Sequence, residues 1–175
     1  WWQRLVHQKK KNSKNNQHNS ITLTCAPTQH WSCRTMWDRN TRLWCSWAVQ
    51  CDGYNIYFGG DTGYPSEYPL FDIIGQRLGP FDISLLSIGA YKPTYFMQDS
   101  HASPKEAVQI HTELRSKTSV AIHWGCFRLA EEDDDEPPKL LREAIEEHAD
   151  RDIDFRVLHL GESIEIPKLT KSDRR

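Results

Sequence analysis

Three features that would narrow the function at once are missing from this sequence. None of the cysteines belongs to a Cys-x-x-Cys pair, and their number, five, is odd, so we expect neither a zinc finger nor a complete set of disulfides. No window approaches the roughly 20 apolar residues that a membrane span requires. We therefore expect an intracellular protein, cytoplasmic or peripheral to a membrane, whose cysteines are reduced and act as small apolar residues.

The sequence also lacks a large excess of charges of one sign. The formal net charge is −2, so no overall field would draw the chain to nucleic acid, and we expect no nucleic-acid partner. The chain begins with Trp1 and Trp2 and runs into the polar stretch 8–20. We interpret this stretch as a loop and find no signal peptide, and the initial Trp in place of Met indicates a fragment or processed product.

Strand and helix patterns alternate along the chain and predict an α/β fold. The predicted strands lie at 1–6, 21–25, 43–50, 54–58, 83–88, 119–122, 156–160 and 163–166, and the predicted helices at 69–78, 105–116 and 139–148. Asp52-Gly53 suits a two-residue hairpin turn. Ser103-Pro104-Lys105-Glu106 is a capping box with Pro at the first helical position. We interpret the acidic run 131–136 as a solvated loop.

Three polar side chains follow predicted strands. His30 follows the strand 21–25, Asp61 follows 54–58 through Gly59-Gly60, and His123 closes the strand 119–122. Functional side chains in α/β folds collect beyond strand ends, and imidazole with carboxylate suits zinc. A structural, hydrogen-bonded His is the simpler interpretation of each residue taken alone, and Asp before Thr-Gly is ordinary turn chemistry. Chance explains three such residues, each after a predicted strand, less readily than it explains any one of them.

His101 is a fourth candidate, immediately before the capping box. A helix N-terminus presents free N–H groups that attract phosphate, so His101 would donate a hydrogen bond or a proton to a phosphoryl or leaving-group oxygen. The residue-level alternative is an exposed loop histidine.

Seven segments together resemble the N-acylphosphatidylethanolamine phospholipase D branch of the metallo-β-lactamase superfamily. They are 26–32 (APTQHWS), 38–40 (DRN), 43–44 (LW), 59–64 (GGDTGY), 79–82 (GPFD), 88–91 (IGAY) and 121–125 (AIHWG). The resemblance covers about 1–167 and leaves 168–175 as a charged tail. It implies the C-terminal half of an αββα sandwich with a two-zinc site at one edge.

The resemblance also implies residue roles. His30 would bind one metal, Asp61 would bridge both, His123 would bind the other, and His101 would lie at the reacting phosphate as a catalytic and substrate-binding group. The implied reaction is hydrolysis of N-acylphosphatidylethanolamine to N-acylethanolamine and phosphatidic acid, with a phospholipid substrate, peripheral membrane contact and a homodimer as the implied partners.

One part of the family pattern is absent from this sequence. The family's early His-x-His-x-Asp-His motif does not occur, and no His-x-His pair exists in the chain. We therefore expect the isolated chain to bind zinc poorly and to be inactive or nearly so, since catalytic zinc sites use three protein ligands. The alternatives are another hydrolase of the same fold, such as a sugar-phosphate lactonase or a nucleic-acid phosphodiesterase, and a non-catalytic truncated product.

Overall fold

Residues 1–8, 20–148, 150 and 152–166 are described by the computed structural model. The strands are β1 (Arg4–Gln8), β2 (Ser20–Ala26), β3 (Ser46–Cys51), β4 (Tyr54–Phe58), β5 (Phe81–Ser87), β6 (Ser116–Ile122) and β7 (Asp154–Arg156). The helices are α1 (Leu70–Leu78), α2 (Thr94–Met97), α3 (Pro104–Glu113) and α4 (Glu136–Glu146). The predicted α/β class is therefore confirmed.

All seven strands form one sheet in chain order. Strands β1 to β4 pair antiparallel, and β4 to β7 pair parallel. The hairpin between β3 and β4 turns at Asp52 and Gly53, which both have positive φ (50° and 80°), as the Asp-Gly pair predicts. The parallel half needs crossover connections, and these contain the helices.

The hydrophobic core lies between one face of the sheet and the helices. Ala48, Tyr57 and Leu86 point from the strands into the same cluster as Phe71 of α1 and Leu141 of α4. Helix α3 begins at the predicted capping box: the Ser103 side chain accepts from Glu106 N, and Glu106 Oε2 accepts from Ser103 N. Sequence patterning and capping chemistry therefore agree on where α3 starts.

The opposite face of the sheet is apolar and only half buried. Its side chains include Leu23, Val49, Ile56, Ile83 and Leu85, which lie outside the core cluster. Trp47 and Phe58 on the same face are 41% and 44% exposed. One sheet with helices on one face is half of a two-sheet sandwich, which is the arrangement that the family resemblance implies.

Several predicted boundaries differ from the structure. No strand forms at 163–166, and β7 covers only Asp154–Arg156 instead of 156–160, because its pairing with β6 ends at Val120 and Arg156. Helix α4 starts at Glu136, so Pro137 and Pro138 lie inside its first turn. The N–H groups of a first turn have no partner within the helix, so proline, which has no N–H, loses no hydrogen bond there. Helix α3 ends at Glu113 because β6 already begins at Ser116.

The acidic run is not a purely solvated loop. Glu132 is buried and accepts backbone hydrogen bonds from Ala90 N and Lys92 N, and Glu136 accepts from Tyr91 Oη. The sequence shows the charges but not their partners, which come from the loop after β5.

The predicted loop 8–20 lies, apart from its two ends, outside the described residues, as does the tail 168–175. No helix in the described part of the chain is long and apolar enough to cross a bilayer.

Candidate metal centre

The site lies where parallel strand ends meet at one edge of the sheet. Strands β2, β4 and β6 run in the same direction, since β2 and β4 are both antiparallel to β3, and β4 and β6 are both parallel to β5. His30 follows β2, Asp61 follows β4 and His123 follows β6 directly. The sheet therefore brings together three side chains that are distant in sequence.

One carboxylate oxygen lies between two imidazoles. Oδ2 of Asp61 is 3.4 Å from Nε2 of His123 and 4.0 Å from Nε2 of His30. The His101 ring packs between the other two rings, with a centroid distance of 5.3 Å to His30 at near-right angles and of 5.3 Å to His123 in a stacked arrangement. The four predicted site residues thus form one cluster, in which both outer histidines are largely buried.

The tautomer of His30 is set by its own loop. Nδ1 of His30 donates to the carbonyl oxygen of Trp31 at 2.9 Å, because a carbonyl can only accept. In the neutral ring Nε2 then carries the lone pair. Nε2 is buried and has no hydrogen-bond partner among the described residues. A ring nitrogen held in this way, with its lone pair towards a carboxylate, is the usual arrangement of a metal-binding histidine.

Thr62 joins the three loops of the site. Its Oγ1 accepts from the backbone N of Gln29, next to His30, at 3.1 Å, and its carbonyl accepts from the backbone N of Ala102, next to His101, at 2.8 Å. Thr62 is itself buried. The turn that contains Asp61 therefore fixes the positions of His30 and His101 relative to the carboxylate.

His123 is held by a close backbone approach. Its φ is 60°, a conformation that a residue with a Cβ adopts at a cost and that clusters at functional sites. A Cβ on Gly89 would lie 2.3 Å from the carbonyl oxygen of His123. Glycine at position 89 is therefore required for His123 to turn out of β6 into the cluster.

The charges in the cluster shift the pKa values of its members. The contact with His123 lowers the pKa of Asp61, and the same contact raises the pKa of His123. Burial, together with the neighbouring His123 and His30, lowers the pKa of His101 to about 4. At neutral pH His101 is therefore an uncharged imidazole with one N–H to donate and one lone pair to offer.

The donor set fits a metal ion. His30, Asp61 and His101 each offer a ligand atom, and these atoms lie within 4.8 Å of one another. Two atoms that each lie about 2 Å from a zinc ion are at most about 4 Å apart, so the separations of Asp61 from His30 and His123 suit bound metal. His101 has the placement of a ligand as well as of a proton donor, whereas the sequence assigned it only the second role.

The structure brings the four predicted side chains together, and the sequence analysis missed two groups that position them. Thr62 was noticed only as part of a turn, although the Gly-Asp-Thr-Gly pattern is the signal that marks it. Gly89 gave no separate signal. His111 is buried on α3 and hydrogen-bonded to Ser119 of β6.

Comparison with known proteins identifies the family of the chain. A model of the β-lactamase superfamily domain matches residues 2–124, a range that includes all four site residues. The chain is 39% identical over 145 residues to N-acyl-phosphatidylethanolamine-hydrolyzing phospholipase D 1 of Caenorhabditis elegans, an alignment that covers 82% of this chain and 40% of that protein. It is 36% identical over 143 residues to the mitochondrial enzyme of the same name from Saccharomyces cerevisiae, covering 81% of this chain and 29% of the relative.

The fold has solved counterparts. An isothiocyanate hydrolase from Delia radicum gut bacteria superposes with a TM-score of 0.61 over 83% of this chain and 54% of that one, at 20% identity, so it supports the fold alone. The chain spans less than half the length of the two phospholipase D relatives named above. With the family model matched over most of the chain, the chain belongs to the metallo-β-lactamase superfamily and is similar to its N-acylphosphatidylethanolamine-hydrolysing phospholipases D.

Proposed function

We propose that this chain is part of a zinc-dependent phosphodiesterase that hydrolyses N-acylphosphatidylethanolamine to N-acylethanolamine and phosphatidic acid. The cluster of His30, Asp61, His101 and His123 around one carboxylate oxygen carries the proposal. The names of the C. elegans and yeast relatives support the lipid class of the substrate. Residues 1–167 would belong to the catalytic domain and 168–175 to a charged tail.

Each residue has a role that its surroundings support. His30 and His123 would each hold metal through Nε2, and the Asp61 carboxylate between them would hold metal as well. Zinc bound there would polarise a phosphoryl oxygen and lower the pKa of a water ligand towards about 7. Thr62 keeps the three loops at a constant distance while the substrate binds.

His101 acts on the phosphate in this proposal. It lies between the two outer histidines and precedes the N-terminus of α3, whose capping box is complete. As a neutral imidazole it donates its N–H to a phosphoryl oxygen or to the departing oxygen of N-acylethanolamine. A donor already in place before the reaction needs no reorganisation when negative charge develops.

The cluster supplies few protein ligands for two metal ions. Four side chains shared between two zinc ions fall short of three ligands for each ion. We therefore propose that this chain binds zinc weakly and hydrolyses lipid slowly or not at all, and that further ligands complete the centre. The homodimer implied by the resemblance stays a prediction.

Exposed apolar side chains on the loops around the cluster support contact with a lipid surface. Met36 and Trp37 follow His30 and are 86% and 88% exposed, Phe96 precedes His101 and is 73% exposed, and Phe127 follows His123 and is 78% exposed. Arg39 lies over the Trp31 ring at 5.6 Å and can face a phosphate headgroup. Aromatic and basic side chains together favour the membrane interface, so we propose that these loops contact the bilayer that holds the substrate.

The proposal is tested by zinc content and headgroup release on two proteins. One is this chain, and the other is a chimaera in which the unmatched part of the C. elegans relative is joined to it. We expect about two zinc ions and N-acylethanolamine release from N-acylphosphatidylethanolamine vesicles only with the chimaera. Hydrolysis of a sugar-phosphate lactone is measured in parallel.

Each outcome has a definite meaning. Loss of both properties in His30→Ala and His123→Ala of the chimaera, with no loss in His159→Ala, supports the proposed ligands. Lactone hydrolysis without lipid hydrolysis rejects the phospholipase assignment. Tight zinc binding and lipid turnover by this chain alone reject the proposed need for further ligands.

A further inference from the structure

One carboxylate of the acidic run is buried next to the metal centre. Glu132 is 8% exposed, and it lines a small cavity of about 20 Å³ together with His123, Gly89 and Ala90. A carboxylate loses hydration when it is buried, so hydrogen-bond donors of the protein have to replace the water. The loop after β5 supplies these donors.

The donors are two backbone N–H groups. Oε1 of Glu132 accepts from the N–H of Ala90, and Oε2 accepts from the N–H of Lys92 at 3.1 Å. Ala90 has a φ of 65°, a conformation that costs free energy in a residue with a Cβ. Two hydrogen bonds to one buried carboxylate offset this cost, so Glu132 holds the loop in this conformation.

The peptide group that Glu132 holds also faces His123. A peptide group is planar and trans, so its N–H and C=O point in opposite directions. The N–H belongs to Ala90 and points at Glu132, whereas the C=O belongs to Gly89. Asp61 is the main cause of the raised pKa of His123, and a backbone contact with Gly89 raises this pKa further. A backbone group raises the pKa of an imidazole by accepting its hydrogen, so the contact is with the Gly89 carbonyl.

The nitrogen of His123 on this side is Nδ1, because Nε2 faces Asp61. The contact is looser than a formed hydrogen bond, since Nδ1 has no hydrogen-bond partner among the described residues. A histidine that binds metal through one ring nitrogen donates its other N–H to a carboxylate, a carbonyl or a water. The Gly89 carbonyl lies in the right place, and the carboxylate bonded to the far end of the same peptide group makes it a stronger acceptor.

We propose that Glu132 is a positioning residue of the metal centre and acts on His123 through the peptide group between Gly89 and Ala90. By holding this group, Glu132 keeps the hydrogen of the neutral His123 ring on Nδ1 and leaves the lone pair of Nε2 for a metal ion. The inference rests on the proposed function, because it concerns the same centre. It assigns Glu132 no contact with metal or substrate.

The test compares the two outer histidines within one protein. Long-range proton–nitrogen NMR spectra at mildly alkaline pH, where the rings are neutral, report which ring nitrogen carries hydrogen. His30 is the internal reference, because the Trp31 carbonyl sets its tautomer. In the natural chain we expect the hydrogen on Nδ1 of both His30 and His123, and excess zinc should shift the Nε2 resonance of both.

Glu132→Gln should affect only one of these two rings. The amide has the shape of the carboxylate but only one acceptor oxygen and no charge, so it cannot hold both N–H groups. His123 should then become a mixture of tautomers and lose most of its response to zinc, whereas His30 should keep both properties. A role in stability alone would not separate the two histidines.

Zinc affinity gives the size of the effect. Calorimetric titration of Glu132→Gln should show a zinc dissociation constant raised by about tenfold or more, as for other groups that only orient a metal ligand. Glu131→Gln makes the same change at the exposed neighbour and is the matched control. Phe155→Leu, in the core on β7, controls for lost stability. Both controls should keep the natural tautomers and the natural zinc affinity.

Thermal unfolding of each variant verifies that it is folded. If Glu132→Gln does not fold, Glu132→Asp takes its place; its oxygens are withdrawn by one methylene group, so smaller changes of the same kind are expected. Equal changes at His30 and His123, or no change at either ring, would overturn the proposal.

Failure of the positioning role and failure of the proposed function give different results. If His123 keeps its tautomer and its zinc response in Glu132→Gln, the positioning role is wrong and the metal centre stands. If zinc shifts neither histidine of the natural chain, the proposed metal centre is wrong. The tautomer of His123 in Glu132→Gln then still decides whether Glu132 orients the ring.

Discussion

Nε2 of His123 lies 3.4 Å from Oδ2 of Asp61, although the two residues leave different strands on either side of β5. The same oxygen faces Nε2 of His30 at 4.0 Å. A carboxylate oxygen between two imidazole nitrogens is an arrangement that attracts a divalent cation. The weak zinc binding that we propose for this chain should therefore depend on Asp61 more than on any exposed acidic residue.

Replacing Asp61 by Asn tests this relationship. The amide has nearly the same shape but no negative charge, so the zinc dissociation constant should rise at least tenfold. Even substitutions of residues that only hydrogen-bond to a metal ligand lower metal affinity by about tenfold or more. Calorimetric titration with zinc measures the constant. Asp52→Asn, in the exposed β3–β4 turn, is the control, and an equal effect of the two substitutions would remove the support for a metal centre at this edge.

Substitutions on the loops around the cluster should weaken binding to lipid. Trp37→Ser and Phe127→Ser remove aromatic side chains that are 88% and 78% exposed. Each should lower the fraction of protein that sediments with phosphatidylethanolamine vesicles, because aromatic surface buried in the membrane interface stabilises the bound protein. Leu160→Ser, which removes a 95% exposed apolar side chain beyond β7, is the control. Unchanged sedimentation of both loop variants would argue against the proposed contact.

The half-buried apolar face of the sheet should bind a hydrophobic dye. Trp47 and Phe58 lie on neighbouring strands of that face, where Cα partners pair them directly, and no side chain of the core cluster covers them. We expect anilinonaphthalene sulfonate fluorescence to rise with this chain and to fall in Phe58→Glu, because the new charge makes the face polar. A compact monomer that leaves the dye unaffected would contradict this interpretation of the face.

His111 should make stability depend on pH. Burial lowers its pKa from 6.5 to about 4, and the ring is held between the Ser119 hydroxyl at 2.8 Å and Phe155, with the Asp154 carboxylate opposing the shift. Between these two pKa values the unfolded chain binds a proton that the folded chain does not, so the free energy of unfolding decreases as the pH falls from about 6.5 towards 4. The loss is on the order of 3 kcal/mol when complete.

Urea denaturation at several pH values measures this dependence. His111→Gln can keep a hydrogen bond to Ser119 but cannot titrate, so its stability should change less with pH than that of the natural chain. His101 also has a lowered pKa and contributes in both proteins, which is why the difference between them is the relevant quantity. Equal pH dependence of the two proteins would show that His111 does not contribute.

Much of the fold is visible in the sequence because local chemistry decides it. The Asp52-Gly53 turn, the capping box at Ser103 and the apolar face of α4 are all local patterns, and the structure contains each of them. The ends of β7 and α3 could not be predicted, because β7 exists only where the chain pairs with β6, through Arg156, and α3 ends where β6 must begin. Those limits depend on residues far away in the sequence.

The site divides in the same way. The sequence by itself determined which residues are chemically suited to a metal, since His30, Asp61 and His123 each follow a strand and His101 precedes a helix. Only the tertiary structure decided that one oxygen of Asp61 faces two imidazoles, that the Trp31 carbonyl sets the tautomer of His30, and that Thr62 joins the loops. The contacts of Asp61 and Thr62 join segments that only the ordering of strands in one sheet brings together, and composition and spacing do not encode that ordering.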